Sequence, residues 1–458
     1  MNTIILLAVT GIFSMFSGIF RQKQLALPAI LIAFISALAM LTFGWIGNYD
    51  DILNNMLIFD NLAINFSLVI IFISIFIFIM SQYYYSDDIE HLTDLFALFV
   101  FSIIGGILLV SFQNLTMLFL GTEILSIPLY ILAASNRRNL ASNEAGLKYY
   151  LMGSFATCFL LLGITLIYGA YGSFDLTDIH TSLATQGISS LFLTGVVLIL
   201  CSFIFKLSAV PFHFWAPDVY HGAPTVLTAF VSTVVKVAVM GALLRFMAFI
   251  GNYNSEKWVI LFMLVSVATM IFGTIVSIKQ KNFKRLLAYS GMANVGFVLI
   301  AILTAGEGSS GYILYNLTAY SIASILAFTI YSTIKSQTGI DTIKGISGLV
   351  THNKLLATGL LVSMLSFAGF PPLAGFFGKY FIIFSAVKAG DTWLAIIAIL
   401  TSVIAAYNYL RISAFVVNAN NSIPSLKITT RYRIFIILCI ALIIGGGIFP
   451  DQLFGLLH

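Results

Sequence analysis

The chain is short of charge. Only 9% of its 458 residues are Asp, Glu, Lys or Arg, where a soluble domain carries about 25%. With 60% hydrophobic residues and a mean hydropathy of +1.03, it lacks the polar surface to solvate a globule of this size. That excludes a cytosolic enzyme, a secreted disulfide scaffold and a disordered tail. Cysteine is scarce too. Cys158, Cys201 and Cys439 lie far apart in apolar runs, and no CxxC or CxxCH is present. Ligands for an iron–sulfur cluster or a c-type haem are therefore missing, and the three are expected as small buried hydrophobes. A net charge of +5 is too slight to argue for nucleic acid. There is no Walker motif, nucleophile elbow or zinc signature. GEGSSG (Gly306 to Gly311) matches GxGxxG but joins two apolar runs without a preceding strand, so it is no dinucleotide site. What remains is a polytopic membrane protein.

About 20 apolar residues cross a bilayer as a helix. Polar clusters and turn residues divide the chain into 14 such spans, near 2–20, 26–44, 61–81, 93–112, 114–134, 145–170, 189–221, 222–249, 257–279, 284–303, 308–334, 354–389, 391–417 and 433–449. The fold class is all-α. The first 20 residues lack a charged leading region and a small-residue cleavage site, and read as a retained helix. Connections on one side are basic, with Arg21, Lys23, Arg137, Arg138, Lys279, Lys281, Lys284, Arg285, Lys335, Lys344, Lys354, Lys427, Arg431 and Arg433. The other side is acidic, with Asp50, Asp51, Asp60, Asp175, Asp178, Glu256, Glu307, Asp391 and Asp451. One connection dissents, since Asp87, Asp88, Glu90 and Asp94 fall on the basic side, but acidic residues contribute little to orientation. The positive-inside rule makes the basic side cytoplasmic and puts both termini on the outer, periplasmic side of the inner membrane.

Setting the loops aside leaves few charges at depth. Glu123 sits in FLGTEILSIPLYILAA, Lys206 ends FLTGVVLILCSFIFK, Lys236 is mid-span in TAFVSTVVKVAVMGALL, and Lys379 follows the prolines of AGFPPLAGFFGKYFIIF. Each costs about 2.5–3.5 kcal/mol to insert. Lys257, Lys388 and Arg245 lie near span ends and are expected to snorkel; Arg411 is intermediate. Burial disfavours the charged form of any ionisable group, and a nearby opposite charge favours it. A row of lysines with one glutamate inside a bundle is therefore a switchable proton relay.

Two spans are interrupted. Pro211 and Pro217 follow Lys206, and Pro371 and Pro372 precede Lys379 among Gly369, Gly375 and Gly378. Freed backbone groups are tolerated at membrane depth only when protein or water satisfies them. Paired interruptions point to a transporter built from inverted repeats. The expected organisation is three N-terminal helices over 1–92, a first five-helix repeat over 93–249 broken near 206–217, a second over 257–417 broken near 369–379, and a last helix within 433–458. An odd number of spans per repeat forces the second to run inverted. His213 and His221 flank the first break. They are either interfacial structural residues or a proton shuttle, since imidazole titrates near neutrality; with no third ligand in view, they make no metal site.

Five blocks carry a resemblance: GTEILSIPLYILAA around Glu123, NEAGLKYYLMGSFATCFLLLGITLIYGAYGS from Asn143, KLSAVPFHFWAPDVYHGAPT from Lys206, KQKNFKRLLAYSGMANVGF from Lys279, and AGFPPLAGFFGKYFIIF from Ala368. Over nearly its whole length the chain resembles the antiporter-like membrane subunits of proton-pumping NADH:quinone oxidoreductase, respiratory complex I. The APDVY-GAPT and LKYYLMGSFA forms favour the bacterial N-type branch over the M and L types. The chain also ends after its fourteenth span, without the lateral helix of the L type. The resemblance implies a glutamate–lysine pair at Glu123 and Lys206, a central lysine at Lys236, and the lysine of the second broken helix at Lys379. It also implies sister antiporter-like subunits as partners, and a peripheral NADH-oxidising arm carrying FMN, iron–sulfur clusters and the quinone chemistry, with no cofactor on this chain. Relatives often carry a histidine where this chain has Asn294, and an amide takes no proton at physiological pH.

The resulting expectation is a proton-translocating subunit whose Glu/Lys relay is driven by electron transfer on other subunits. A subunit of a cation/proton antiporter or a membrane-bound hydrogenase is the first alternative, a structural scaffold whose lysines are buried ion pairs the second, and a standalone solute permease the third.

Overall fold

The computed structural model describes residues 1–20, 22–44, 56–85, 91–251, 255–303, 309–418 and 426–452. Arg21, Asp50, Asp51, Asp87, Asp88, Glu90 and Glu307, the side chains of Glu256 and Lys257, and Gly306 to Gly308 of GEGSSG lie outside the described residues.

Three helices lead, α1 (Asn2–Ile19), α2 (Lys23–Thr42) and α3 (Asn61–Tyr84). Next come α4 (Leu92–Val110), α5 (Leu115–Ala133), α6 (Leu140–Tyr171), α7 (Leu176–Gln186), α8 (Ser190–Lys206) and α9 (Trp215–Gly222). The long α10 (Thr225–Ile250) contains a π-helical turn at Val231–Val235. Then follow α11 (Ser255–Lys279), α12 (Phe283–Leu303), α13 (Ser309–Thr338), the short α14 (Leu349–His352), α15 (Lys354–Ala368), α16 (Ala374–Lys388), α17 (Thr392–Val417) and α18 (Thr430–Ile448). Twelve of these helices are long and apolar enough to cross a membrane, and α8 and α15 are shorter apolar helices; with their continuations α9 and α16 those two make the broken spans. The all-α polytopic fold and the count of about 14 spans hold. The 11-residue α7 lies in a segment expected to be a plain loop; Asp175 starts it by accepting the Thr177 amide at 2.8 Å.

Helix starts follow their side chains. Asp60, Asn114, Asn139, Ser189 and Asn353 each accept an amide from the first turn of the helix they precede, which satisfies donors that have no partner inside the helix. The core is apolar and lies between helices. The most apolar stretch of α10 is buried on every side, while α1, α2 and α17 bury under two fifths of theirs. A helix that is hydrophobic all round belongs at the centre, so Lys236 on α10 is central by construction. Cys439 is buried, but Cys158 is exposed on the outer face of α6, where an apolar membrane-facing surface accommodates a thiol as readily as the core does.

One pattern was invisible in the sequence. The Leu115 amide donates to the Phe174 carbonyl and the Leu176 amide to the Gln113 carbonyl; the Phe283 amide donates to the Asp341 carbonyl and the Ile343 amide to the Lys281 carbonyl. These two clasps tie the start of α5 to the end of α6 and the start of α12 to the end of α13. Gly105 of α4 lies against the Leu125 backbone of α5, and Gly273 of α11 against the Ala293 backbone of α12. Both breaks also contain a cis X-Pro bond, Val210–Pro211 and Pro371–Pro372.

Candidate functional site: a buried cation axis

Lys206 is the last residue of α8 and 5% exposed. The chain leaves the helix at Ser208, which has a left-handed φ of 59°, a conformation rare for a residue with a side chain. The Lys206 ammonium donates to Ser126 Oγ at 2.5 Å and to Tyr130 Oη at 3.3 Å, and lies 5.7 Å from the Tyr130 ring centroid. Glu123 precedes Ser126 by three residues, so both point to one face of α5. Yet no ion pair joins Glu123 to Lys206 among the described residues. The carboxylate accepts instead from Thr157 Oγ1 at 2.7 Å. The two side chains are thus held on different partners, at positions three residues apart on α5, about 4.5 Å of rise. Beside Lys206 lies a cavity of about 10 Å³, bordered by Thr122, Ser202 and Leu160, room for about one water.

Lys236 follows directly on the π-helical turn of α10, a local widening that recurs at functional sites, and is 3% exposed. Its ammonium donates to the Gly291 carbonyl at 2.8 Å and lies 5.8 Å from the Tyr320 ring centroid. A Cβ at position 291 would stand 2.7 Å from that nitrogen and 2.6 Å from the Tyr320 hydroxyl, so any side chain there would push both groups aside.

Lys379 on α16 donates to the Phe367 carbonyl at 2.8 Å, the Ala368 carbonyl at 3.3 Å and Ser402 Oγ at 3.1 Å. The two carbonyls end α15, where the last turn has no intrahelical donors and carries partial negative charge. The proline break thus creates the acceptors that hold the cation. A cavity of about 30 Å³ connects this lysine to Tyr320, beneath Lys236, and is lined by Asn294, Asn316, Ser290 and Tyr409. It has room for about two waters. Ser290 and Tyr409 hydrogen-bond to each other across it. Asn316 is 4% exposed, and its Oδ1 has no protein partner.

Among the described residues, no carboxylate lies within 4 Å of Lys206, Lys236 or Lys379. Each ammonium is held by neutral hydroxyl or carbonyl oxygens, so a change in protonation breaks no ion pair.

The histidines stand apart from this axis. His213 is 3% exposed in the first break, with the tilted rings of Phe214 and Phe272 at 4.2 and 4.4 Å. His221 ends α9 and faces Asn282, Lys284, Arg285 and Asp341. Neither Nδ1 has a partner. Among the described residues, no cluster of three metal-ligating side chains occurs.

One charge departs from expectation, and two arginines are held by backbone carbonyls. Lys284, read as a loop charge, is 2% exposed and donates to the Ala223 carbonyl at 2.5 Å; as second residue of α12 it turns inward under the end of α9. Arg245 is 9% exposed, donates to the Val110 carbonyl at 2.9 Å and pairs with Asp60 at 2.6 Å. Arg411 caps α11 through the Ile278 carbonyl at 2.7 Å and donates to Asn408 at 3.0 Å.

Residues 113–405 match the family described as NADH:quinone oxidoreductase/Mrp antiporter, TM. The chain is 42% identical to NADH-quinone oxidoreductase subunit N of Cytophaga hutchinsonii, covering 99% of this chain and 98% of that one. It is 36% identical to the subunit of the same name from Flavobacterium psychrophilum, over 100% of both. A chain of respiratory complex I from Thermus thermophilus superposes with a TM-score of 0.82 at 29% identity, covering 100% of this chain and 99% of that one. A chain of the Mrp complex from a Dietzia species shares the fold, with a TM-score of 0.89 at 17% identity over 99% of this chain and 95% of that one.

Proposed function

The chain belongs to the NADH:quinone oxidoreductase/Mrp antiporter transmembrane family, and on that footing we propose that Glu123, Lys206, Lys236 and Lys379 are the proton relay of an N-type membrane-arm subunit. It is a multi-span protein of an enzyme complex and works beside other membrane subunits. The observation that carries the relay is the row of buried amines without counter-ions, running from one broken helix to the other. Intramembrane ionisable groups are expensive and mark proton paths. Redox energy released on a peripheral arm, which carries the FMN, the iron–sulfur clusters and the quinone chemistry, drives rearrangement along the row. Closing Glu123 onto Lys206 stabilises the charged pair, and opening it releases that constraint.

The two clasps and the paired glycine contacts support two five-helix repeats, 93–249 and 257–417, the second inverted. Both termini then lie on the periplasmic side. His213 and His221, beside the cytoplasmic end of the first break, serve proton access to Lys206. Between Lys236 and Lys379 the path runs through the larger cavity, where Asn294 and Asn316 orient water and carry no proton themselves.

Co-purification in mild detergent tests the assignment: an NADH-oxidising flavoprotein arm is expected with this chain, and its absence alongside an intact cation/proton antiporter assembly would overturn it. The cavity gives a separate test. Asn316→Leu fills the space with an apolar group of similar volume and removes the amide that orients water. NADH-driven proton uptake is expected to fall by about tenfold, on the scale of losing one positioned proton-transfer step. Uptake at the wild-type rate would remove water from this part of the path.

A further inference from the structure

We propose that the eight-residue helix α9 is a lever that sets Lys206 and Lys236 relative to each other, with Trp215, Asp218 and Arg285 as its positioning residues. The proposal rests on the relay reading and adds a mechanical link between two of its lysines.

The helix follows the break at 207–214 and is tied to α10 by the bond from Thr228 Oγ1 to the Tyr220 carbonyl at 3.1 Å, so side chains as well as the chain set its position. Trp215, at its start, is 4% exposed. Its indole lies between the rings of Tyr149, at 4.8 Å and 11°, and Phe205, at 5.4 Å and 28°. Its Nε1 donates to the Phe205 carbonyl at 3.0 Å, the peptide unit that joins Phe205 to Lys206. Tyr149 meets edge-on the Tyr130 ring whose hydroxyl accepts from Lys206. Trp215 therefore holds the backbone next to the lysine directly and reaches its solvating group through Tyr149.

One turn later, Asp218 shares its carboxylate. One oxygen takes Lys148 of α6 at 2.8 Å, and the other takes Arg285 of α12 at 2.7 Å. Lys284, beside Arg285, holds the carbonyl at the far end of α9. Gly222 lies so close to α6 that a Cβ there would stand 2.2 Å from the Ala141 carbonyl oxygen. These cations open α12, and less than two turns along the same helix Gly291 presents the carbonyl that accepts from Lys236. A path of direct contacts thus runs from Lys206 through Trp215, α9, Asp218 and Arg285 to the acceptor of Lys236. Packed elements respond to small shifts as bodies with discrete seatings, so a shift of α9 at either end moves the other.

The ion pairs at Asp218 are a third to two fifths exposed, and such pairs contribute little to stability. Their loss reports on position more than on folding. Asp218→Asn, Arg285→Gln and the double variant are compared in the assembled complex by protons translocated per NADH oxidised, with subunit abundance measured in the same membranes. Each single variant is expected to lower the ratio about threefold, the factor set by one half-exposed ion pair. The double variant is expected to be no worse than the poorer single, because Asp218→Asn already removes the contact that Arg285→Gln removes. Trp215→Phe keeps the ring stack and loses only the indole donor; it is expected to lower the ratio by a similar factor, and it carries the test if Asp218→Asn fails to assemble. Wild-type ratios in Trp215→Phe and the Asp218 and Arg285 singles, or losses that multiply in the double, overturn the lever. Its failure is distinct from failure of the relay, in which Lys206→Met and Lys236→Met would themselves translocate normally.

Discussion

Complex carrying Lys236→Met is expected to assemble in the membrane and to lose NADH-driven proton translocation by about tenfold or more, the scale on which a positioned proton carrier contributes. Methionine matches the length and shape of the buried stem, and removing a desolvated charge relieves a cost that no counter-ion offsets. The loss on the structural side is one donor to the Gly291 carbonyl, worth about 1 kcal/mol net. Assembly and transport should therefore separate. Quenching of a pH-sensitive dye in inverted vesicles reads the transport, and an immunoblot reads the assembly. A variant that assembles and pumps at the wild-type rate would turn this lysine into a structural residue and favour the scaffold reading.

The second large effect is on the fold. Gly105→Val is expected to reduce the amount of the chain in membranes about fivefold or more, since overpacking costs roughly 1–3 kcal/mol or more and changes of that size shift abundance several-fold. A Cβ at Gly105 would stand 2.2 Å from the Leu125 nitrogen, and backbone cannot give way as a flexible side chain can. Close backbone approach at small residues is how helices associate in lipid. Here it also fixes the register of α5, and with it Glu123 and Ser126. Gly169→Val provides the contrast: nothing lies within 4 Å of a Cβ there, and abundance is expected to stay at the wild-type level. Equal loss in both would mean that helix propensity, not the α4–α5 contact, decides the outcome.

Much of this was readable from residues alone. Few charges occur in long apolar runs, so Glu123, Lys206, Lys236 and Lys379 stood out by depth, and proline marked both broken helices. What stayed hidden depends on how helices meet. Lys284 sits in the basic run KQKNFKR and looks like an orientation signal; only the placement of Ala223 over the start of α12 shows that it is buried. Its one sequence trace is its position in the first turn after Asn282, which caps α12 through the Lys284 amide at 3.0 Å. The π-helical turn before Lys236 lies in FVSTVV, without proline or glycine to announce it. That Glu123 bonds to Thr157 and Lys206 to Ser126 is a matter of how the helices are placed, which no motif encodes. The clasps at α5–α6 and α12–α13 are backbone bonds between different residue types, so they leave little trace in composition.

A relay requires that the buried amines change protonation, not merely that they are positive. Proton translocation by reconstituted complex carrying Lys236→Arg tests this most directly. Guanidinium keeps the charge and can still donate to the Gly291 carbonyl, but it does not deprotonate in proteins. This variant is expected to assemble and to translocate protons no faster than Lys236→Met. Translocation at the wild-type rate with a permanently charged side chain at 236 would contradict it.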